Sequence, residues 1–171
     1  MRPRSISVML VDDHAVVREG YRRLLEKHEG IVVVAEAADA ASAYQAYKNK
    51  NPDVVVMDVS LPGRGGIDAI RQIRQWDPAA RLLVFTMHLS TTFALQAFRA
   101  GAKGFVTKSS PPELLVSACA RWLPAVLQFA PRSVKPLQGA ACRRMQVSLT
   151  LFPHVNSRYC ACYSMAGRPR R

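Results

Sequence analysis

Short apolar runs rich in β-branched residues recur through the first two thirds of the chain. Each run is bounded by turn-forming or charged residues, a pattern that is typical of strands. The runs are continuously apolar rather than alternating, which indicates strands buried on both faces. The predicted strands are Ile6–Val11, Ile31–Ala35, Val54–Asp58, Leu82–Thr86 and Gly104–Thr107.

Between these runs, apolar residues recur every three or four positions, as they do along one face of a helix. The predicted helices are an amphipathic segment around Val17–Leu25, then Ala40–Lys50, Gly66–Trp76, Thr91–Ala100 and a last helix that continues to about Leu123. Gly101 follows the fourth helix as an expected C-cap. The last helix begins with Ser110-Pro111-Pro112-Glu113, which predicts Ser110 as N-cap, Pro111 as first helical residue and Glu113 as the partner in a capping box.

Five alternating strand and helix units predict a parallel sheet covered by helices on both faces. Right-handed crossovers then give a doubly wound α/β fold. In such folds, sites form beyond the carboxyl ends of the strands, near the point where the strand order reverses. The residues that follow the strands are therefore the candidates for function.

Charge and composition divide the chain near residue 120. The 171 residues are 49% hydrophobic, enough for a core, and carry a net charge of +12. All twelve acidic residues lie within the first 113 positions, with 15 of the 24 Lys and Arg. Residues 114–171 hold the other nine basic residues, no acid and all four cysteines. The two parts therefore need separate interpretations.

The sequence excludes membrane-spanning classes of protein. No apolar run approaches the roughly 20 residues that a membrane-spanning helix needs. The first apolar run ends at Asp12 and Asp13, so a signal peptide is not expected. The expected compartment is the cytoplasm, with no membrane partner.

Polar residues follow four of the predicted strands. Asp12 and Asp13 end the first, Asp58 the third and Thr86 the fourth, while Lys108 follows the fifth. Three close carboxylates repel one another unless a cation joins them, and Mg²⁺ takes hard oxygen ligands and phosphate oxygens. A carboxylate can also attack phosphorus to give an acyl phosphate, while the metal and a Lys neutralise the phosphoryl charge.

An alternative is that these polar residues merely mark where strands reach solvent. That interpretation explains the whole set poorly, because the polar residues lie at one end of the sheet only. The chain has no GxxxxGK[ST] phosphate loop, so a phosphoryl donor would have to come from elsewhere.

The segments VDDH, VVVMDVSLPGRGG, FTMH and GAKGFVTKSS resemble, in this order, the receiver domain of two-component response regulators. Their spacing is most similar to the NarL/FixJ (LuxR-type) group of transcriptional regulators. The resemblance covers roughly residues 5–122, which would form the receiver domain. It implies a flavodoxin-like (βα)5 fold and phosphorylation by a sensor histidine kinase.

The resemblance also implies roles for single residues. Asp58 matches the phosphoacceptor. Asp13 and Asp58 match side-chain ligands of the cofactor Mg²⁺, and Asp12 matches an acid that acts on the metal largely through water. Ser60 matches the position whose backbone carbonyl completes the metal site.

The remaining matches concern the phosphorylation switch, that is, the residues that respond to the bound phosphoryl group. Thr86 matches the switch hydroxyl, Lys108 the lysine that contacts the phosphoryl group, and Phe105 the rotameric aromatic, where many receivers have Tyr. Ser109 stands where the family often has a proline after a cis peptide bond. The fourth helix, fifth strand and fifth helix, roughly Thr91–Ala120, match the face that carries output or a homodimer.

Two histidines near the site have plainer interpretations. His14 could be called a metal ligand, but a histidine at this place more often simply opens the first helix. His88, after the fourth strand, is expected to be a loop residue.

Residues 123–171 do not match the helix-turn-helix domain that the resemblance predicts after the receiver. The favoured interpretation is an altered reading frame near codons 117–124, which would explain the lost acids, the arriving cysteines and the missing domain. A basic nucleic-acid-binding extension is an alternative, with phosphate contacts from Arg143, Arg144 and Arg168–Arg171. Zinc binding by His154, Cys160 and Cys162 is another, although the usual paired spacing is missing. On any of these, this basic tail is expected to be poorly ordered.

Three functions are then in competition. The first is a signalling receiver, ancestrally a regulator of transcription and not an enzyme. The second is a small phosphatase with Asp58 as nucleophile, which would normally need a substrate cap that these short loops do not provide. The third is DNA binding through the basic tail, for which no recognition helix is legible.

Overall fold

The computed structural model describes residues 5–63, 65–88 and 90–122. The predictions for residues 123–171 lie outside the described residues. The described elements are β1 (Ile6–Val11), α1 (Ala15–Glu26), β2 (Ile31–Ala37), α2 (Ala40–Lys50), β3 (Val54–Met57), α3 (Gly65–Trp76), β4 (Leu82–Thr86), α4 (Thr91–Ala100), β5 (Gly104–Thr107) and α5 (Pro112–Ala120).

The five strands form one parallel sheet in the order β2-β1-β3-β4-β5. This order confirms the predicted flavodoxin-like, doubly wound (βα)5 fold. In the sheet, β2 lies on one side of β1, and the strands that follow, beginning with β3, lie on the other side. The carboxyl ends of β1 and β3 therefore lie side by side at the reversal, where doubly wound folds place their sites.

Two apolar clusters cover the two faces of the sheet. Side chains alternate between the faces along a strand, so Val55 and Met57 of β3 pack towards α2, α3 and α4, while Val54 and Val56 pack towards α1 and α5. All four are buried. Burial on both faces is the physical reason why the strand sequence is continuously apolar.

Some boundaries differ by a residue or two from those predicted. β2 continues to Ala37, because its last residues pair with the end of β1 beyond an irregularity between Val8 and Met9. β3 ends at Met57 rather than Asp58, although the Asp58 N–H still donates to Val11 O at 2.9 Å. Asp58 thus begins the loop while remaining tied to β1.

The predicted C-cap of α4 is confirmed, whereas the prediction of a capping box at the start of α5 is wrong. Gly101 adopts the left-handed conformation, with φ at 109°. α5 begins at Pro112, and Pro111 occupies the N-cap position without a side-chain cap. A residue that precedes proline is disfavoured in the helical region, so Pro112 keeps Pro111 out of the helical conformation. The Ser110 hydroxyl instead lies 2.8 Å from Thr107 Oγ1.

Among the described residues, no helix is both long enough and apolar enough to span a membrane.

Candidate functional site

Asp12 is held at the carboxyl end of β1. Its N–H donates to Ala37 O at 3.1 Å, which extends the pairing with β2 by one residue. Its Oδ1 accepts the His14 N–H at 2.8 Å. The residue is buried, so its carboxylate has a fixed direction at the rim.

Asp58 is held at the carboxyl end of β3, and only 3% of the residue is exposed. Its Oδ1 accepts the Ser60 N–H at 3.0 Å. The loop that follows approaches it closely: a Cβ added to Gly66 would clash with the Asp58 carbonyl oxygen and lie 2.7 Å from Val59 Cα. Helix α3 can start this close to the aspartate only because residue 66 has no side chain.

Lys108 joins the two buried aspartates. Its ammonium lies 2.6 Å from Asp12 Oδ2 and 2.5 Å from Asp58 Oδ2, and 8% of its side chain is exposed. The Lys108 N–H donates to Thr86 O at 2.8 Å, which positions the lysine beside the end of β4. Burial disfavours the charged lysine, but hydrogen bonds and charge attraction from the two aspartates outweigh it and raise its pKa.

Asp13 lies at the edge of this arrangement. Ligand atoms of Asp12, Asp13 and His14 all lie within 4.8 Å of one another. His14 Nδ1 is 2.9 Å from Asp13 Oδ1. His14 immediately precedes α1, as expected, and its side chain is 66% exposed. The predicted metal ligands are thus divided, with Asp13 beside His14 and Asp58 against Lys108.

Thr86 is the last residue of β4, and Phe105 lies in the neighbouring strand β5. Thr86 is fully buried, and its hydroxyl oxygen accepts the His88 N–H at 3.2 Å. Phe105 is half-buried and packs against the core cluster under α2, α3 and α4. His88 lies between β4 and α4, as expected for a loop residue, with its ring stacked on Phe93.

Two contacts near the site were not found by sequence reasoning. Gly66 was predicted to begin a helix, but its close approach to the Asp58 backbone was not predicted, and Arg18 was given no role at the site. The Arg18 Nη1 donates to Asp12 O at 2.5 Å. Neither role has a periodic signal, because both depend on how a helix start approaches a strand end.

The described sheet has buried acids and a lysine where its strand order reverses, and this defines a doubly wound α/β domain with a charged site at the carboxyl edge. The family model of the response regulator receiver domain matches residues 8–120. The chain belongs to this family of phosphoryl-accepting signalling domains, which are not enzymes.

Relatives support the same assignment. The response regulator UvrY of Escherichia coli (strain K12) is 40% identical over 113 residues, which are 66% of this chain and 52% of that protein. A LuxR-family two-component response regulator from Aurantimonas sp. SI85-9A1 has a crystal structure that matches with a TM-score of 0.68 and 61% identity, over 70% of this chain and 85% of that one.

The isolated REC domain of RcsB from Salmonella enterica serovar Typhimurium was solved in the presence of the phosphomimetic BeF3⁻. It matches with a TM-score of 0.64 and 27% identity, over 75% of this chain and 92% of that one. The resemblance to LuxR-type regulators is confirmed. The chain spans about half the length of the curated relatives it matches.

Proposed function

We propose that this chain accepts a phosphoryl group on Asp58 from a sensor histidine kinase and thereby switches the α4-β5-α5 face. The observation that carries the proposal is the shared ammonium of Lys108 between Asp12 and Asp58 at the reversal of strand order. A carboxylate oxygen of Asp58 attacks the phosphorus, the bond to the kinase histidine breaks, and an aspartyl phosphate forms. Lys108 then contacts the phosphoryl oxygens.

The residues present fit Mg²⁺, whose preferred ligands are hard oxygens. Asp12, Asp13, Asp58 and the Ser60 carbonyl would hold it, with Asp12 acting largely through water. The pocket already stabilises one cation, since the Lys108 ammonium lies between two buried carboxylates. When bound, Mg²⁺ would neutralise charge on the transferring phosphoryl group.

Thr86 and Phe105 are proposed to carry the switch. Phosphorylation adds about −1.5 to −2 charges at neutral pH. The Thr86 hydroxyl accepts the His88 N–H, and it would use its own proton to donate to a phosphoryl oxygen. A Thr86 that turns inward leaves space for the Phe105 ring, which biases a two-state surface. That surface, α4-β5-α5, is the proposed homodimer face.

We propose residues 5–122 as the receiver domain and residues 123–171 as a separate tail. Among the described residues, the buried apolar side chains of the two core clusters fall between Ile6 and Cys119, which supports the proposed extent of the receiver. We expect a chain truncated after residue 124 to be phosphorylated like the full chain. Loss of phosphorylation on truncation would contradict these boundaries. Control of transcription, as in the relatives, would need a DNA-binding domain that the tail sequence does not show.

The test is labelling of the full chain with acetyl phosphate and Mg²⁺. Wild type is expected to take up one phosphoryl group per chain, and Asp58→Asn none. Asp53→Asn is the matched control, because Asp53 precedes the same strand at its other end and is expected to label like wild type. Persistent stoichiometric labelling of Asp58→Asn would refute the assignment, and turnover of small phosphoesters would favour a phosphatase instead.

A further inference from the structure

Arg18, in the first turn of α1, lies against the rim of the site. Its Nη1 donates to the Asp12 carbonyl oxygen at 2.5 Å, and its Nε donates to Glu36 Oε2 at 2.9 Å. Only 17% of the Arg18 side chain is exposed, against 44% for Arg22 one turn further along the helix. The guanidinium therefore joins the end of β1 to the end of β2.

The carbonyl that Arg18 binds belongs to the peptide bond between Asp12 and Asp13. A peptide unit is planar, so a hydrogen bond to its oxygen restrains the orientation of the plane that joins the Cα atoms of both aspartates. Asp12 is also held by its N–H on Ala37 O and by its carboxylate on Lys108. Arg18 adds a hydrogen bond on the side of Asp12 that faces Asp13.

We propose that Arg18 is a positioning residue for the acidic pair: it holds the Asp12–Asp13 peptide so that both carboxylates face the Mg²⁺ position. This inference rests on the proposed function. Arg18 does not face the metal as an unpaired cation, since its Nε lies 2.9 Å from Glu36 Oε2. Partners that orient ligands in this way typically change metal affinity when they are removed.

Arg22 provides a matched control on the same helix. Its Nη1 lies 3.0 Å from the other oxygen of Glu36, and its described contacts are with Glu26 and Glu36. Replacing Arg22 removes the same charge and one bond to the same Glu36 as replacing Arg18. It leaves the Arg18 bond to the Asp12 carbonyl in place.

The experiment measures Mg²⁺ affinity of the full chain by calorimetry, in wild type, Arg18→Met, Arg18→Lys and Arg22→Met. Arg18→Met, which keeps an apolar stem, is expected to weaken Mg²⁺ binding about 10-fold. Arg22→Met is expected to bind Mg²⁺ like wild type. Arg18→Lys is expected to fall between, because an ammonium lacks the fork of donors that reaches two acceptors.

Acetyl phosphate labelling of the same proteins separates this inference from the proposed function. At saturating Mg²⁺ we expect Arg18→Met to regain the wild-type labelling rate. Wild-type Mg²⁺ affinity in Arg18→Met, or an equal loss in Arg22→Met, would overturn the role of Arg18 even if Asp58 is labelled. Failure of wild type to label would refute the proposed function instead. If Arg18→Met does not fold, unchanged affinity in Arg18→Lys overturns the inference.

Discussion

Two aspartates flank the same buried strand, β3, and the protein satisfies them by different means. Asp53 precedes the strand, and its Oδ2 accepts the Ser7 N–H at 2.9 Å and the Ser7 hydroxyl at 2.7 Å. Asp58 follows the strand, and its Oδ2 accepts from the Lys108 ammonium at 2.5 Å. A serine thus donates to the acid at the amino edge of the sheet, and a lysine donates to the acid at the carboxyl edge.

The amino edge repeats this arrangement before β4. Asp77 accepts the Tyr47 hydroxyl at 2.5 Å, and this bond lowers the pKa of Asp77. Each of these two carboxylates accepts a hydrogen bond from a hydroxyl of its own, Asp53 from Ser7 and Asp77 from Tyr47. The carboxyl edge instead places two buried carboxylates on one ammonium, with Asp13 nearby. That excess of negative charge favours a further cation, so chemistry is expected at this edge only.

The largest effect is expected from removing the cation of the carboxyl edge. Lys108→Met leaves Asp12 and Asp58 buried without a counter-charge, and we expect the free energy of unfolding at pH 7 to fall by about 4 kcal/mol. Urea denaturation in the absence of Mg²⁺ measures this. Adding Asp58→Asn to Lys108→Met is expected to restore part of the loss. Wild-type stability in Lys108→Met would show that the two edges do not differ in their need for a cation.

A slightly smaller effect is expected from filling the space beside Asp58. Gly66→Ala forces a Cβ against the Asp58 carbonyl and Val59, and such overpacking against backbone should cost about 3 kcal/mol in unfolding free energy. Gly20→Ala, in α1, is the control, because its Cβ would meet nothing within 4 Å. That change should stabilise the protein by about 0.5 to 1 kcal/mol. Destabilisation of both variants alike would contradict a close approach specific to the site.

At the amino edge, Ser7→Ala removes the Ser7 hydroxyl, which is hydrogen-bonded to Asp53. The Ser7 hydroxyl donates to Asp53 Oδ2 and accepts the Asp53 N–H at 2.9 Å. Loss of both bonds should lower the unfolding free energy by about 2 kcal/mol. Labelling by acetyl phosphate should remain at the wild-type level, because the change lies at the opposite edge. A loss of labelling in folded Ser7→Ala would remove the functional distinction between the edges.

The smallest effect is expected from Tyr47→Phe, and it should depend on pH. At neutral pH the lost hydrogen bond should cost about 1 kcal/mol. Because the folded pKa of Asp77 lies below its ordinary 3.8, the contribution is present above that value and is lost as pH falls through the folded pKa. Burial raises the pKa of Tyr47, so loss at high pH begins only above the ordinary value of 10.0.

Urea denaturation of wild type and Tyr47→Phe across acidic and neutral pH measures the difference. The stabilities of the two proteins should begin to converge as the pH falls below about 4 and become equal below the folded pKa of Asp77. A difference that stayed constant into acid would mean that Asp77 is not held by this hydroxyl.

Much of the fold could be predicted because its signals are local. The buried strands are continuous apolar runs, and Gly101 is the residue type that a left-handed cap requires. The errors arose where two local signals competed. Ser110 has the chemistry of an N-cap, but two consecutive prolines move the start of α5 to Pro112.

The site likewise has features that local sequence signals predict and features that they do not predict. Because hydrophobic periodicity locates strand ends, the sequence was enough to predict that Asp12, Asp13, Asp58, Thr86 and Lys108 lie at or just after the ends of strands. The three-dimensional fold was needed to show that Lys108 binds both Asp12 and Asp58, which lie 96 and 50 residues away along the chain. The fold also shows that Arg18 reaches the Asp12 carbonyl. Such contacts depend on strand order and on where each helix crosses a strand end, and no local pattern of residues encodes them.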